Sequence, residues 1–446
     1  MEPLRSSYGT VVSAAGGATE SEAARVSDHP ADGAAPTADV AGNREAAEGE
    51  AEVALPLLPD ELPDVDTYVD VVSEKGQKAR GLYLSGPKIA ALGVRKLVAE
   101  LRRARMDAAV IDLKDEKGRV TFPTSIPDLR PQVEVLIPDV RALTDELRKA
   151  GIYTIARIVC FADRGLARRF PERAVKDARP RKKGRLWSSS GPDGFWLDPY
   201  HPDNHRVITE LAREAAAMGF DEIQLDYIRF PVNGNARFAV FPSQSDLPRE
   251  RILLLLLERI DAAVSIPLGV DVFGLTAFDY RREQEEILGQ NVELWARHVE
   301  VFTPMLYLNG MQSLMDPGEK RRAGRLVSVG ISRLRKRLGS EPVIRPFLQA
   351  FEQGADYYTP DFIAEQILGA RRGGSDGFLF WHPGSRYTMV RKGMETRVRN
   401  FCPFPIAERM ALRIRIWNAR EASARLASRS PASLNPELVA GEQNAP

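Results

Sequence analysis

Two acidic side chains lie at or near the ends of predicted β-strands, the position from which parallel barrels deliver catalytic groups. Asp226 follows the hydrophobic run of EIQLDYIRFP (222–231), and Asp271 lies in the next such run, GVDVFG (269–274). Two carboxyl groups on neighbouring strands can supply the nucleophile and the acid that cleavage of a glycosidic bond requires. We therefore predict Asp226 and Asp271 as a catalytic pair.

The surroundings of Asp226 allow two interpretations. Strand alternation places Gln224, Asp226 and Ile228 on one side of the strand. Arg157 and Arg229 are candidate ion-pair partners that would hold a catalytic Asp226 in its charged form. Alternatively, a buried Asp226–Arg229 pair only fixes the loop after the strand. Residue types alone leave both open.

Polar and aromatic side chains also occur at the ends of the other predicted strands. Aromatic faces stack on sugar rings, while amide, carboxylate and guanidinium groups pair with hydroxyls. Lys114 shares a face with Asp112 by alternation, so an ion pair between these two is an alternative to a contact with substrate. The residues predicted to bind substrate are Asp112, Lys114, Arg157, Arg229, Tyr307, Gln349 and Trp381.

The histidines and cysteines do not suggest a metal or an acyl-enzyme nucleophile. The five histidines include no HExxH, and the pair His201 and His205 is read as a loop and helix start with Asp203 as its cap. Two cysteines are too few for a four-thiolate zinc site, and no GxSxG occurs. We expect no metal and no cofactor.

The elements that must position these residues alternate between short β-branched runs and amphipathic windows such as 89–103 and 207–218. This alternation predicts an α/β fold, a (β/α)₈ TIM barrel. The runner-up, an open doubly wound sheet, lacks the expected GxGxxG or GxxxxGK[ST] fingerprint. The eight predicted strands are 81–84, 108–113, 153–161, 222–227, 268–273, 301–307, 343–348 and 377–381.

Composition divides the chain into three parts. Residues 1–66 are predicted to be a disordered acidic arm, 67–402 the barrel, and 403–446 a C-terminal helix and disordered tail. The net charge of +1 gives no reason to propose nucleic acid as a partner. This small total is the sum of two opposite charges. The arm carries 3 basic and 14 acidic residues, and the rest of the chain carries 59 basic and 47 acidic residues. A basic body would favour acidic glycans.

The chain contains no run of 18 apolar residues, so no integral membrane segment is predicted. Its first residues lack the apolar core of a signal peptide, so the location stays open and is cytoplasmic if the sequence begins at the true start site. A cell-envelope or extracellular location would require a different start site.

Several motifs resemble one family of bacterial glycoside hydrolase-like domains, first catalogued as a domain of unknown function. They are AAVIDLKDEKGRV (108–120), GFDEIQLDYIRFP (219–231), VDVFG, VEVFTPMLY and IRPFLQAF. The resemblance implies a TIM barrel related to α-amylase-like retaining glycosidases, with Asp226 at the nucleophile position. The sequence departs from the family pattern at YLNG (307–310), and no Glu follows the fifth strand, which leaves Asp271 as the predicted acid.

These observations predict a glycoside hydrolase that acts on a bacterial polysaccharide or envelope glycan by a retaining mechanism. The alternative is a glycan-binding barrel without hydrolysis. The absence of a second carboxylate within about 10 Å of Asp226 would favour that alternative.

Overall fold

A computed structural model of the protein describes residues 72–189, 194–232, 234–278 and 286–396. The predicted acidic arm, C-terminal helix and tail lie outside these residues. The domain boundaries at 66 and 402 therefore stay predictions.

Eight parallel strands close into a barrel, which confirms the predicted fold. Seven are continuous, and β7 is split around Arg345 and Pro346, where proline has no N–H to donate. The second segment of β7 pairs with both β6 and β8, and β8 pairs with β1, so the sheet has no open edge. The strands are β1 (Arg80–Leu84), β2 (Ala108–Lys114), β3 (Tyr153–Val159), β4 (Glu222–Asp226), β5 (Leu268–Val272), β6 (Val301–Leu306), β7 (Val343–Ile344 and Phe347–Gln349) and β8 (Phe378–Trp381).

Helices connect the strands and cover the outside of the barrel. The windows predicted at 89–103 and 207–218 are observed, each beginning a few residues earlier, at Gly86 and Pro202. The described helices are α1 (Glu74–Gln77), α2 (Gly86–Arg103), α3 (Val140–Lys149), α4 (Arg164–Arg169), α5 (Pro202–Ala217), α6 (Arg249–Asp261), α7 (Val292–Trp295), α8 (Arg322–Leu338), α9 (Pro360–Gly373) and α10 (Thr388–Thr396). In the described ranges, none of them is long and apolar enough to cross a bilayer.

The cap predicted for α5 is wrong. The ring nitrogen Nδ1 of His201 accepts a hydrogen bond from the backbone N–H of Asp203 at 3.2 Å, so His201 itself is the cap. Asp203 lies in the first turn of the helix, where its charge favours the positive end of the helix dipole.

Hydrophobic packing follows the alternation of the strands. Ile223 and Leu225 of β4 point outward into the large core between strands and helices. Tyr153, Ile155 and Phe347 point inward and fill part of the barrel. Burying each such side chain stabilises the fold by about 1.5–3 kcal/mol.

An ion pair lies at the N-terminal end of the barrel interior. The Glu222 carboxylate accepts from the guanidinium of Arg345, both side chains are fully buried, and Tyr153 donates to the same carboxylate at 3.1 Å. Arg345 also donates to the carbonyl oxygen of Gly76 at 2.8 Å. This cluster closes the bottom of the barrel, opposite the mouth where the strands end.

Candidate active site

Strand β4 delivers the central carboxyl group. Gln224 and Asp226 alternate with Ile223 and Leu225, so both point into the barrel. The strand ends at Tyr227, whose φ of +52° is unusual for a residue with a side chain.

The left-handed turn at Tyr227 breaks the predicted alternation beyond Asp226. The side chain of Ile228 packs in the outer core, so the prediction that Ile228 shares the face of Asp226 is wrong. The backbone N–H of Tyr227 instead donates to Oδ1 of Asp226 at 2.6 Å and fixes the orientation of that carboxylate.

Arg157 of β3 joins two carboxylates at the mouth. Its Nε and Nη2 donate to Oδ2 of Asp226 at 3.0 and 2.5 Å, and its Nη1 donates to Oδ1 of Asp112 at 2.5 Å. Burial alone would lower the pKa of this guanidinium, but the two carboxylates raise it well above its usual value. The partner of Asp226 is thus Arg157, and the alternative Asp226–Arg229 pair is wrong.

Asp271 of β5 lies against Asp226 in a different environment. Its Oδ1 accepts from the Gln224 amide at 2.6 Å, and the same amide donates to Thr303 at 3.1 Å. Its Oδ2 is buried without a hydrogen-bond donor among the described residues. Burial and the charge of Asp226 raise the pKa of Asp271 well above its ordinary value. Both effects favour the protonated form of Asp271.

Asp112 of β2 is the third carboxyl group of the mouth. It accepts from the Tyr83 hydroxyl as well as from Arg157. Burial raises the pKa of Asp112 from 3.8 to about 6, although Arg157 opposes this rise. A cavity of about 440 Å³ opens beside Asp112 and is also lined by Tyr83, Lys117 and Arg119. We refer to it as the Asp112 cavity.

Four aromatic rings form one wall of the mouth. Trp381 lies 6.1 Å from Tyr83, 5.8 Å from Tyr307 and 5.5 Å from Phe351, measured between ring centroids. Trp381 is partly exposed, so one part of its indole is available for stacking. Tyr307 and Trp381 are thus brought together at the mouth.

Arg229 occupies an aromatic enclosure behind Asp226. Its guanidinium carbon lies 4.8 Å from the ring centroid of Trp196, 5.2 Å from that of Tyr227 and 5.7 Å from that of Phe273. Burial lowers the pKa of Arg229. Among the described residues it has no carboxylate at ion-pair distance, and its hydrogen bond goes to the carbonyl oxygen of Phe230 at 3.2 Å.

Lys114 is not brought to the mouth with Asp112. A bulge between the two residues shifts the register of β2, so Lys114 is aligned with Ile158, a residue of the outer core. Its ammonium forms an ion pair with Asp163 at 2.9 Å and donates to the carbonyl oxygen of Val159 at 2.7 Å. The predicted Lys114–Asp112 ion pair is therefore wrong, and the polar contacts of Lys114 hold the loop after β3.

Gln349 is likewise occupied by the protein itself. Its side-chain oxygen accepts from the backbone of Asn309 at 3.0 Å, and its amide donates to Phe351 and Gln353 at 3.0 and 2.9 Å. It is fully buried. These bonds join the loops after β6 and β7, which carry Tyr307 and Phe351.

Sequence reasoning missed several residues that shape the site. Gln224 was placed on the correct face but given no role, and Tyr83 could have been found by applying the same alternation to β1. Gln290 had no signal, because it lies outside any strand. Its amide donates to the carbonyl oxygens of Asp271 and Ile228 at 3.2 and 3.3 Å and so ties the ends of β4 and β5 together.

The described residues contain no group of three His, Cys, Asp or Glu side chains arranged to hold a metal ion. What the site offers is three carboxyl groups, one shared guanidinium and an aromatic wall.

A family described as a putative glycosyl hydrolase domain matches residues 81–387. The chain belongs to this family. The resemblance found in the motifs is thereby confirmed, and the protein is a glycoside hydrolase with a carbohydrate substrate. No curated protein matches the chain.

Several solved structures are similar to this chain. The glycoside hydrolase domain of PgaB (BpsB) from Bordetella bronchiseptica is 13% identical, with a TM-score of 0.52 over 72% of this chain and 100% of that domain. The α-L-fucosidase isoenzyme 2 of Paenibacillus thiaminolyticus is 13% identical, with a TM-score of 0.49 over 71% of this chain and 49% of that enzyme. A hypothetical protein from Ruminiclostridium thermocellum ATCC 27405 is 31% identical over 43% of this chain and 97% of its own, with a TM-score of 0.38. The likeness to the PgaB domain shows the fold alone.

Proposed function

We propose that this glycoside hydrolase cleaves a polysaccharide or envelope glycan by a retaining mechanism, with Asp226 as nucleophile and Asp271 as acid and base. The observation that carries the proposal is the unequal pair of carboxyl groups. Asp226 accepts two hydrogen bonds from the Arg157 guanidinium, whereas Asp271 has no cationic partner within ion-pair distance among the described residues and a strongly raised pKa. Environments that differ in this way assign the two roles.

The proposed reaction has two displacements. In the first, an oxygen of Asp226 bonds to the anomeric carbon, the bond to the leaving oxygen breaks, and the proton of Asp271 goes to that oxygen. In the second, Asp271 takes a proton from water, the water oxygen attacks the anomeric carbon, and the bond to Asp226 breaks. The pairing of β4 with β5 supports a retaining pair, since it brings the two carboxyl groups from neighbouring strands to the same mouth, and their environments suit a nucleophile and an acid.

The surroundings of the mouth support a polymeric substrate. The Asp112 cavity lies on one side of the aromatic wall, and a second cavity of about 470 Å³, lined by Phe351, Tyr358 and His382, lies on the other. Both also contact Pro383. Two cavities, one beside Asp112 and one beside Phe351 of the aromatic wall, offer room for more than one sugar unit.

The test is a screen of polysaccharides for new reducing ends with Asp226→Asn as the inactive form. We expect Asp226→Asn to lose turnover at least 10³-fold, while a matched control, Asp139→Asn at the exposed cap of α3, keeps wild-type turnover because Asn also caps helices. Both oxygens of Asp226 accept hydrogen bonds from N–H donors. In Asp226→Asn one of these oxygens becomes an NH₂ group that faces a donor, which lowers the free energy of unfolding by about 1–3 kcal/mol. Circular dichroism checks that it folds.

The configuration of the first sugar product, followed by NMR, separates the mechanisms. Retention of the anomeric configuration is expected, and inversion would remove Asp226 from the nucleophile role. Polysaccharide binding without any reducing ends from wild-type protein would favour the alternative of a glycan-binding barrel. The presence of Asp271 on the strand next to that of Asp226 argues against that alternative.

A further inference from the structure

A groove with a strong excess of positive charge lies beside the mouth, outside the carboxyl cluster. It has a volume of about 520 Å³. Five cationic side chains line it, and Glu134 is the one acidic residue in its lining. We call it the basic groove; its cations are Lys117, Arg119, Arg164, Arg168 and Arg169.

Three of the cations, Lys117, Arg168 and Arg169, are exposed and have no salt bridge in the described part of the chain. The Arg169 guanidinium donates to the carbonyl oxygen of Asp128 at 2.6 Å. Lys117 follows the bulge of β2, and Arg168 lies on α4 with its guanidinium 5.4 Å from the ring centroid of Phe195.

The basic groove adjoins the Asp112 cavity of the proposed catalytic mouth. Lys117 and Arg119 line both the basic groove and the Asp112 cavity. A chain that occupies the Asp112 cavity and continues past these two residues therefore reaches the arginines of α4.

We propose that the basic groove binds the acidic groups of an anionic polysaccharide whose chain runs through the Asp112 cavity to the carboxyl groups. The ligand is a glycan rather than a nucleic acid because the groove adjoins a glycosidase site. This inference rests on the proposed function and specifies its substrate class.

The test compares acidic polymers with neutral polymers of the same backbone. Alginate, polygalacturonate and hyaluronan are each offered beside their carboxyl-reduced forms, and binding is measured by affinity electrophoresis at low and high salt. We expect at least one acidic polymer to bind at least tenfold more tightly than its reduced form. This preference should shrink as salt rises, because exposed charges are screened.

Variants assign the effect to the groove. Lys117→Gln/Arg168→Gln should weaken binding of the acidic polymer about tenfold and make it less sensitive to salt. The matched control Lys149→Gln/Lys336→Gln removes two exposed charges from α3 and α8, outside the groove lining, and should change binding less than twofold.

Several results would overturn the inference. These are equal binding of acidic and reduced polymers, wild-type binding by the groove variant, and duplex DNA binding as tight as the polysaccharide through the same two residues. If Asp226 is needed to cleave neutral polymers and acidic polymers are not preferred over them, the inference about the groove is refuted. The proposed function then stands. Acidic polymers that bind through the groove but are never cleaved would support the groove and refute the proposed function.

Discussion

Replacing Asp112 by Asn should stabilise the protein at neutral pH, although it removes one of the two carboxylates that pair with Arg157. Asp112 is buried, and its pKa is about 6 in the folded protein against 3.8 ordinarily. A difference of about 2 between folded and unfolded pKa corresponds to about 3 kcal/mol. Once the pH exceeds the folded pKa of Asp112, its charged form therefore lowers the free energy of unfolding by about 3 kcal/mol.

The direction in which stability changes with pH follows from the number of protons that the folded and unfolded states bind. Between about pH 4 and pH 6 the folded protein holds a proton on Asp112 that the unfolded chain has released. Stability therefore falls by about 1.4 kcal/mol per pH unit across this interval and is constant with respect to this group above it. At pH 4 and below, the group contributes no penalty.

The geometry allows the amide to replace the acid. The Asn oxygen can accept from Arg157, and the Asn NH₂ can donate to the Tyr83 hydroxyl, which rotates from donor to acceptor. Arg157 keeps Asp226 as a charged partner. No donor is then left facing another donor.

Urea denaturation of wild type and Asp112→Asn at pH 4, 6 and 8 provides the measurement, since the difference at each pH cancels the other titrating groups. The variant should match wild type at pH 4 and exceed it by about 3 kcal/mol at pH 8, or about 4 °C in melting temperature for a barrel of this size. Asp139→Asn should show no difference that depends on pH. A variant less stable than wild type by the same amount at pH 4 and pH 8 would refute the electrostatic account.

Three further predictions test individual contacts. Arg345→Met leaves the Glu222 carboxylate buried without its ion-pair partner and should lower the free energy of unfolding by about 3–5 kcal/mol in urea, while adding Glu222→Gln recovers most of the loss. Lys114→Met should cost a similar amount by stranding Asp163, yet leave the KM of the folded enzyme within twofold, whereas a large rise would restore its role in substrate binding. Trp381→Ala should raise KM about tenfold with kcat nearly unchanged, and an unaltered KM would show that its ring does not contact substrate.

The barrel could be predicted from the sequence because strands buried on both faces read as short continuous apolar runs. All eight predicted strands exist, with ends shifted by a few residues. Alternation along β4 also placed Gln224 and Asp226 inward correctly. The proximity of Asp226 to Asp271 followed from the order of the strands, since β4 and β5 pair directly.

The errors arise where one residue breaks the regular backbone. The bulge after Asp112 turns Lys114 away from the mouth, and the left-handed φ of Tyr227 turns Ile228 outward. Neither has a signal in residue type, because Tyr and Lys have no preference for such positions. Predictions based on a period of two therefore fail from that residue onward.

The choice between Arg157 and Arg229 as partner of Asp226 was also beyond the sequence. Arg229 is three residues away along the chain, whereas Arg157 belongs to another strand and meets Asp226 only through the register of β3 on β4. Local spacing favours the wrong partner, since the turn at Tyr227 sends Arg229 into the aromatic enclosure.

The raised pKa of Asp271 follows from a shortage of positive charge in the mouth. Three carboxyl groups point inward from β2, β4 and β5, and within the described residues the Arg157 guanidinium is the cation that contacts any of them. Arg157 can bond to two carboxylates, and its fork is used by Asp112 and Asp226. The third group, Asp271, lies against the negative Asp226 with an amide as its donor, so ionising it would place two charges in contact away from water. Its position in the register of β5, more than its residue type, makes Asp271 the proton donor of the proposed pair.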